Sequence, residues 1–228
     1  MPPPRQNSGG VITTRLVILG PPGSGKGTRA KIIGRVYGIP VVTTGDMLRE
    51  AVSEGTELGR LAEAYMKRGE LVRDDIVIGI VEERFSKPDV EEGFVLDGFP
   101  RSVKQAEALD RILVKMGIAL DIVLNVTARS ETILGRLSLR RSCPKCGAVY
   151  HIKDMPPKQE GICDECGSPL VQRDDDKEEI ILHRLEVYRD QTVPILERYK
   201  KAGKVKEISG ELEIDQIIDE VKRVLGGV

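Results

Sequence analysis

The stretch RLVILGPPGSGKGT, residues 15–28, decides the fold of this chain. Its apolar first part leads directly into a glycine-rich turn that contains Gly20, Gly25 and Lys26 at the spacing G-x-x-x-x-G-K. Glycines at this spacing let backbone N–H groups converge on phosphate oxygens, and a following helix adds its positive N-terminal end. The stretch therefore predicts a buried strand, a phosphate-binding loop and a helix, in that order.

One position departs from the strict form of this loop. The pattern has Ser or Thr immediately after the lysine, whereas here Gly27 stands before Thr28. The alternative is a glycine-rich turn that only resembles a phosphate loop. The strand before the turn, the helix after it and the lysine in register favour binding of a nucleoside triphosphate. The residues predicted to contact it in the loop are Gly23, Ser24, Gly25, Lys26, Gly27 and Thr28.

Apolar and amphipathic segments alternate along the rest of the chain. Four further short apolar runs are VVTT (41–44), GFVLD (93–97), DIVLNV (121–126) and KVKEI (204–208). GFVLD and DIVLNV show no in/out alternation, which is typical of strands covered on both faces of a parallel sheet, and KVKEI is the candidate for a last strand. The pattern predicts an α/β fold with a central parallel β-sheet flanked by helices, and a long helix that begins near Asp176.

Composition narrows the classes of function. The 228 residues carry a net charge of −1 and only 4% aromatic residues, so we expect no nucleic-acid partner. The apolar runs are too short to span a bilayer, and the start, MPPPRQNSGG, lacks the apolar segment of a secretory signal. We therefore expect a cytoplasmic protein without a membrane partner. The first residues are predicted to form a flexible tail.

A carboxylate follows one of the predicted strands. Asp97 ends the run FVLD, and an acid at the carboxyl end of a strand near a phosphate loop can meet Mg²⁺. Asp also begins many turns, so this position alone is weak evidence.

All four cysteines lie in one segment rich in Gly and Pro. They form two CxxC pairs, Cys143 with Cys146 and Cys163 with Cys166, and each pair continues into a glycine. Four thiolates at this spacing favour a closed, structural Zn²⁺ site, although iron can occupy four sulfurs in vitro. Disulfides are the alternative, which a reducing cytosol disfavours. His151 and Asp154 lie nearby and are expected to be bystanders.

Several motifs together resemble the adenylate kinase family, in the long form with a four-cysteine zinc lid. Besides the phosphate loop these are TGDMLR (44–49), GELV (69–72), DGFPR (97–101), RLSLRR (136–141), QRDDD (172–176) and HRLEVY (183–188). The resemblance implies a P-loop nucleoside monophosphate kinase fold. It also implies an enzyme that reversibly converts ATP and AMP into two ADP with Mg²⁺, serving adenine nucleotide homeostasis.

The resemblance also implies a division of the chain. The segments are a tail (1–14), core (15–42), AMP-binding domain (43–72), core (73–138), zinc-binding lid (139–176) and core (177–228). Leu139 stands at the start of the lid where family members often have Gly, so we expect a stiffer hinge there.

Site residues follow from the motif positions. Lys26, Arg101, Arg140, Arg173 and Arg184 are expected around the transferred phosphoryl group, with Asp97 near Mg²⁺. At the ATP site the resemblance adds Arg136, Arg140, Val149 and Tyr150 to the loop. At the AMP site it implies Thr44, Arg49, Glu70, Leu71, Val72, Gly98, Phe99, Pro100, Arg101, Gln105, Arg173 and Arg184. His183 is expected to be partly exposed and without a role.

Two other functions stay open at this point. One is a kinase for another nucleoside monophosphate such as UMP or CMP, against which Thr44 and Gln105 favour adenine. The other is a P-loop regulator whose zinc segment binds RNA or protein, against which the acidic residues of that segment argue. We expect a monomer.

Overall fold

The computed structural model describes residues 5–6 and 12–225, with the side chains of residues 14–213 and 215–225. Most of the predicted tail lies outside this part of the chain. Within it, two short strands, β1 (Arg5–Gln6) and β2 (Ile12–Thr13), pair with each other in antiparallel fashion.

A five-stranded parallel sheet forms the centre of the fold. Its strands are β3 (Arg15–Leu19), β4 (Val41–Thr43), β5 (Phe94–Asp97), β6 (Ile122–Thr127) and β9 (Val205–Ser209), in the spatial order β4-β5-β3-β6-β9. All four neighbouring pairs are parallel. All five apolar runs therefore form strands of one sheet, and the predicted α/β class is confirmed.

Nine helices occur in the described part of the chain. They are α1 (Lys26–Tyr37), α2 (Thr44–Ser53), α3 (Glu57–Lys67), α4 (Asp74–Phe85), α5 (Val103–Lys115), α6 (Ser130–Ser138), α7 (Glu178–Val187), α8 (Val193–Lys201) and α9 (Ile214–Leu225). The long helix predicted from Asp176 begins two residues later, and a π-helical turn at Tyr188–Thr192 joins α7 to α8. Pro194 cannot donate to a helical carbonyl, and the wider turn ends two residues before it.

Both faces of the sheet are covered, which explains the uninterrupted apolar runs. In β3, Leu16 and Ile18 pack with residues of α1 and α9, whereas Val17 and Leu19 pack in the cluster that contains α4, α5 and α8. Successive strand residues point to opposite faces, so a strand between two helical layers must be apolar throughout.

The carboxyl ends of β3, β4 and β5 lie at one edge of the sheet. The turn after β3 leads into α1, Thr44 begins α2 directly after β4, and Asp97 is the last residue of β5. In parallel sheets this edge is where ligands bind, because the loops there converge on the crevice between neighbouring crossovers.

Two excursions leave the core. In one, α2 and α3 pack closely, because Gly59 of α3 is buried against the backbone of Ala51 in α2. In the other, β7 (Arg140–Ser142) and β8 (Val149–His151) pair in antiparallel fashion, and a small cluster forms around Cys143, Tyr150 and Cys163. Leu139 between α6 and β7 has φ −95°, so the chain needs no glycine at this junction.

Gly59 and Gly79 form a matched pair for testing the contact between α2 and α3. A Cβ at Gly59 would lie 2.0 Å from the Ala51 carbonyl oxygen, whereas a Cβ at Gly79 of α4 meets nothing within 4 Å. We expect Gly59→Ala to lower the free energy of unfolding by about 1–3 kcal/mol. Gly79→Ala should raise it by about 0.5–1 kcal/mol, because Ala costs less backbone entropy than Gly in a helix. Denaturant unfolding of both variants measures this, and equal effects would contradict the close contact.

Candidate nucleotide-binding site

The phosphate loop has the backbone geometry that anion binding needs. Gly20, Gly23 and Gly25 have φ of 147°, 75° and 87°, a region that side-chain-bearing residues rarely adopt. Among the described residues no side chain caps the start of α1, and no acidic residue lies in its first turn. The N–H groups at this helix end are therefore available to a phosphate.

Lys26 is the first residue of α1 and folds back over the loop. Its Nζ donates to the carbonyl oxygen of Pro21 at 2.7 Å. The pKa of Lys26 is lowered to about 7, because burial removes its amine from water. The neighbouring Arg101, Arg184 and Arg140 lower this pKa further, and Asp97 opposes them. An anion that balances the arginines would restore the charge of the lysine.

Asp97 is buried beside the loop. Burial raises the pKa of its carboxyl group, while Lys26 and Arg101 oppose that rise. A Cβ built at Gly27 would lie 3.6 Å from Asp97 Oδ2, so the residue after the loop lysine faces this carboxylate. A buried acid that faces a phosphate loop has suitable chemistry for a hydrated Mg²⁺.

Six cationic side chains influence one another at this edge of the sheet. They are Lys26, Arg49, Arg101, Arg140, Arg173 and Arg184. Desolvation lowers the pKa of Arg101, Arg173 and Arg184, and in each case at least two neighbouring guanidinium groups lower it further. Guanidinium groups held this close repel one another, so the cluster favours a polyanionic ligand.

Carboxylates of one short turn hold two of these arginines. Arg140 donates to both oxygens of Asp176 at 2.8 and 2.5 Å, and Asp176 is 1% exposed. Arg184 lies 2.9 Å from Asp175 and 3.4 Å from Asp176. Asp175 and Asp176 belong to the QRDDD motif but were not among the predicted site residues, because a run of aspartates shows nothing about its partners.

A second pocket lies beside the loop, between α2, α3 and the start of α5. Its lining includes nine of the residues predicted for AMP. The full lining is Thr44, Gly45, Leu48, Arg49, Met66, Gly69, Glu70, Leu71, Val72, Val77, Gly98, Arg101, Gln105, Asp175 and Arg184. Thr44 Oγ1 lies 3.4 Å from the Asp97 carbonyl oxygen, and Arg101 Nε donates to the Gly98 carbonyl oxygen at 2.9 Å. The pocket therefore shares Arg49, Arg101 and Arg184 with the cation cluster.

Three residues predicted for the AMP site do not line this pocket. Phe99 is fully buried in the hydrophobic core, and Pro100 follows it inside the protein. Arg173 donates from Nε to Ser142 Oγ at 2.8 Å, so its side chain lies against β7 of the cysteine-bearing excursion. The backbone of Phe99 and Pro100 connects Gly98 to Arg101, and both of these flanking residues line the pocket.

Another cavity lies between the cysteine-bearing excursion and α1. It is lined by Lys31, Cys146, Ala148, Val149, Tyr150, Asp164 and Glu165. The Tyr150 hydroxyl accepts from Asp164 N at 2.8 Å and lies 3.5 Å from Cys163 Sγ. The polar end of this side chain is thus engaged within the excursion, and only its ring can meet a ligand in the cavity.

Two arginines lie beneath the loop. Arg136 of α6 donates to the Gly210 carbonyl oxygen at 2.8 Å. Arg29 of α1 is 2% exposed and donates to the Ser209 carbonyl oxygen at 2.6 Å. Only Arg136 was among the predicted site residues; Arg29 is next to the loop motif but belongs to no pattern that would have singled it out.

The four cysteines are arranged to bind one metal ion. Their four sulfur atoms all lie within 4.8 Å of one another, and the pairs Cys143–Cys166 and Cys146–Cys163 are 3.4 and 3.5 Å apart. A disulfide needs about 2.05 Å, so these thiols are not bonded to each other. Tetrahedral Zn²⁺ with Zn–S bonds of about 2.3 Å places its sulfurs about 3.8 Å apart, which the cluster fits.

Both halves of the cysteine cluster have the same backbone geometry. Cys143 N donates to Ala148 O at 2.8 Å, and Cys163 N donates to Ser168 O at 2.9 Å. Gly147 and Gly167 then turn back on their cysteines with φ of 72° and 70°. The glycine after each CxxC pair is therefore required by the turn that brings the sulfurs together.

The two histidines lie outside the metal cluster. His151 Nδ1 accepts a hydrogen bond from Asp154 N at 2.9 Å, and neither residue is among the four ligands. His183 is exposed on α7. The expectation that these residues are bystanders to the metal is consistent with this arrangement.

The fold and the site define a P-loop protein with a second pocket, lined in part by arginines, and an insertion that carries four cysteines. The chain belongs to the adenylate kinase family, whose characteristic sequence matches residues 18–204. Two archaeal adenylate kinases are similar over 92% of this chain and 97% of their own length: that of Methanothrix thermoacetophila at 54% identity and that of Archaeoglobus fulgidus at 50%. The adenylate kinase of a Geobacillus species is 48% identical over 93% of this chain and 99% of its own.

Among the described residues, no helix combines the length and apolar character that crossing a bilayer requires.

The lowered pKa of Lys26 predicts proton uptake when a polyphosphate binds. With a pKa of about 7, most of the amine is neutral near pH 8, where phosphates with a pKa of about 6 are already ionised. A bound polyanion raises the pKa of Lys26, so the complex takes up a proton. Calorimetric titration with ATP in two buffers of different ionisation enthalpy should show uptake that approaches one proton. Lys26→Met should abolish it, and equal heats in both buffers would contradict the assignment.

Proposed function

We propose that this chain reversibly transfers the terminal phosphoryl group of Mg²⁺-bound ATP to AMP, giving two ADP. The observation that carries the proposal is the cation cluster, which joins the phosphate loop to the second pocket through Arg101 and Arg184. Two phosphorylated ligands in these two sites would meet at the cluster. The membership in the adenylate kinase family supports the same reaction.

The reaction needs charge neutralisation more than proton transfer. The phosphate of AMP has a second pKa of about 6 and is mostly a dianion at neutral pH, so it can attack without a general base. Two polyanions must nevertheless approach in line, and negative charge spreads over the migrating group. Guanidinium groups bind phosphate oxygens with paired N–H donors, so a cluster of arginines supplies what this step requires.

We assign each group a role by its place in the site. Lys26 would hold the β- and γ-phosphates over the loop, and Arg49 with Arg101 would clamp the AMP phosphate. Thr44 and Gln105 would contact adenine in the second pocket. Arg140, Arg173 and Arg184 would surround the migrating group, Arg136 would pack against the ATP base, and Asp97 would hold Mg²⁺ through water.

The carboxylates of Asp175 and Asp176 prepare two arginines for this role. Asp176 uses Nε and Nη2 of Arg140, which leaves the other edge of the guanidinium directed elsewhere. A guanidinium that is oriented before the ligand arrives loses less side-chain entropy on binding. The carboxylates also reduce the repulsion within the cation cluster until the polyanions bind.

We propose that the four cysteines hold Zn²⁺ and that residues 139–176 act as a lid over ATP. The cluster inside this segment is small, so a bound metal would supply much of its folding energy. Residues 43–72 would form the AMP-binding domain, and residues 15–42, 73–138 and 177–228 the core. Closure of the lid would exclude water that otherwise hydrolyses the donor. We further propose a cytoplasmic monomer with no nucleic-acid or membrane partner.

A coupled assay for ADP formation tests the reaction and its acceptor. With ATP and Mg²⁺, we expect rapid transfer to AMP and much slower transfer to UMP, CMP or GMP. Arg101→Met should lower kcat by at least about a hundredfold, because it removes a donor that neutralises charge in the transition state. Arg223→Met on α9, whose partner is Glu220, is the matched control and should leave the rate unchanged. Preference for UMP or CMP would indicate the other kinase, and absence of transfer to any acceptor would sink the proposal.

Removal of the metal tests the lid. Metal analysis of the purified protein should find about one zinc per chain. Chelation should lower the melting temperature and leave turnover well below that temperature much less affected, because the metal stabilises the lid without contacting the reacting atoms. Added Zn²⁺ should restore melting. Unchanged melting after complete removal of the metal would contradict a stabilising role.

A further inference from the structure

The amide of Gln105 has two partners within the protein. Gln105 lines the second pocket but is only 1% exposed, so only an edge of its side chain reaches the pocket. Its Oε1 accepts from the backbone N–H of Arg101 at 2.7 Å. Its Nε2 donates to Asp74 Oδ1 at 2.8 Å. Each end of the amide is therefore held by one neighbour.

Asp74 lies behind Gln105 and does not line the pocket. It is the first residue of α4, and the same Oδ1 atom also accepts from Ser102 Oγ at 2.9 Å. Ser102 Oγ in turn accepts from Gln105 N at 3.2 Å and caps α5. One carboxylate oxygen thus holds the side chain of Gln105 directly and its backbone through Ser102.

The neighbours of the amide permit one orientation. A carboxylate only accepts hydrogen bonds, so the NH₂ group must face Asp74. The backbone N–H of Arg101 only donates, so the carbonyl oxygen must face Arg101. A rotated amide would place two acceptors together at one end and two donors together at the other.

The orientation determines what the pocket offers a base. Among the described residues, one N–H of Nε2 and one lone pair of Oε1 are not used by these two bonds. A donor and an acceptor side by side match an aminopurine edge, where the amino group donates and the adjacent ring nitrogen accepts. An oxopurine edge presents the reverse pattern, with an oxygen that accepts and a ring N–H that donates.

We propose that Asp74 is a positioning residue that sets the orientation of the Gln105 amide and thereby the preference for an amino- over an oxopurine acceptor. The inference rests on the proposed function, because it takes the second pocket to hold the acceptor base. It adds a residue outside the pocket that acts on specificity through Gln105.

AMP and IMP are the matched probes, since they differ only in the amino or oxo group and the protonation of the adjacent ring nitrogen. The readout is the ratio of kcat/KM for AMP to that for IMP, which does not depend on the fraction of active enzyme. Asp74→Asn keeps the shape of the side chain but can offer either an oxygen or an NH₂ group to Gln105. We expect the ratio to fall by about tenfold, mainly through a higher KM for AMP, because only the Arg101 N–H then selects the orientation of the amide and the rotated form becomes more populated.

Asp75→Asn is the matched control. Asp75 is the next residue in the first turn of α4, carries the same charge near the same helix end and pairs with the exposed Arg73. Its substitution should leave the AMP-to-IMP ratio unchanged. Asp74→Ala is a second variant that removes the acceptor entirely, and melting curves identify which variants are folded at the assay temperature.

A double-mutant cycle tests whether Asp74 acts through Gln105. In a Gln105→Met background there is no amide to orient, so Asp74→Asn should change the ratio by less than about twofold. An equal loss in both backgrounds, or an unchanged ratio in the otherwise native background, overturns the proposal. If the native chain transfers phosphoryl groups to no nucleotide, the proposed function has failed; if it prefers AMP and Asp74→Asn keeps that preference, only the role of Asp74 has failed.

Discussion

Electrostatic repulsion among partly buried cations is the constraint on which the site of this protein depends. Burial lowers the pKa values of Lys26, Arg101, Arg173 and Arg184, and neighbouring guanidinium groups lower each of them further. Such an arrangement is costly unless counterions are present. Asp97, Asp175 and Asp176 supply part of the balance, and two phosphorylated ligands would supply the remainder. Relief of this repulsion would therefore favour both the binding of the two ligands and the stabilisation of negative charge in the transition state.

These cations come from different parts of the chain, and the fold brings them together. Lys26 follows β3, Arg101 follows β5, and Arg184 lies on α7. The π-helical turn after α7 adds a further link, since Thr192 Oγ1 donates to the Arg101 carbonyl oxygen at 3.0 Å. Arg101 is thereby held at its N–H by Gln105 and at its carbonyl by Thr192. The position of the guanidinium thus depends on contacts that span both sides of the site.

The cysteine-bearing segment is limited by its small hydrophobic interior. It has too few buried side chains to form a core of its own, yet it carries Arg140 and Arg173 at its two ends. A metal bound by four thiolates would stabilise this segment without the additional residues that a larger hydrophobic core would need. The ring of Tyr150 adds to the small interior of the segment, and its hydroxyl accepts a hydrogen bond from Asp164 N within the same segment.

The sequence by itself determined what depends on local pattern: five apolar runs became strands, the glycines of the phosphate loop took positive φ, and two CxxC pairs brought four sulfurs together. The strands and the loop depend on neighbouring residues, and the repeated CxxC spacing indicates a shared site, so periodicity and spacing reveal these features. Tertiary structure alone decided the partners of the site residues, such as Arg140 with Asp176, 36 residues apart, and Gln105 with Asp74, 31 residues apart. It also placed the side chain of Phe99 in the hydrophobic core, which the motif alone does not show. A side chain's direction and its hydrogen-bond partner are set by elements distant in the chain, and no local pattern encodes them.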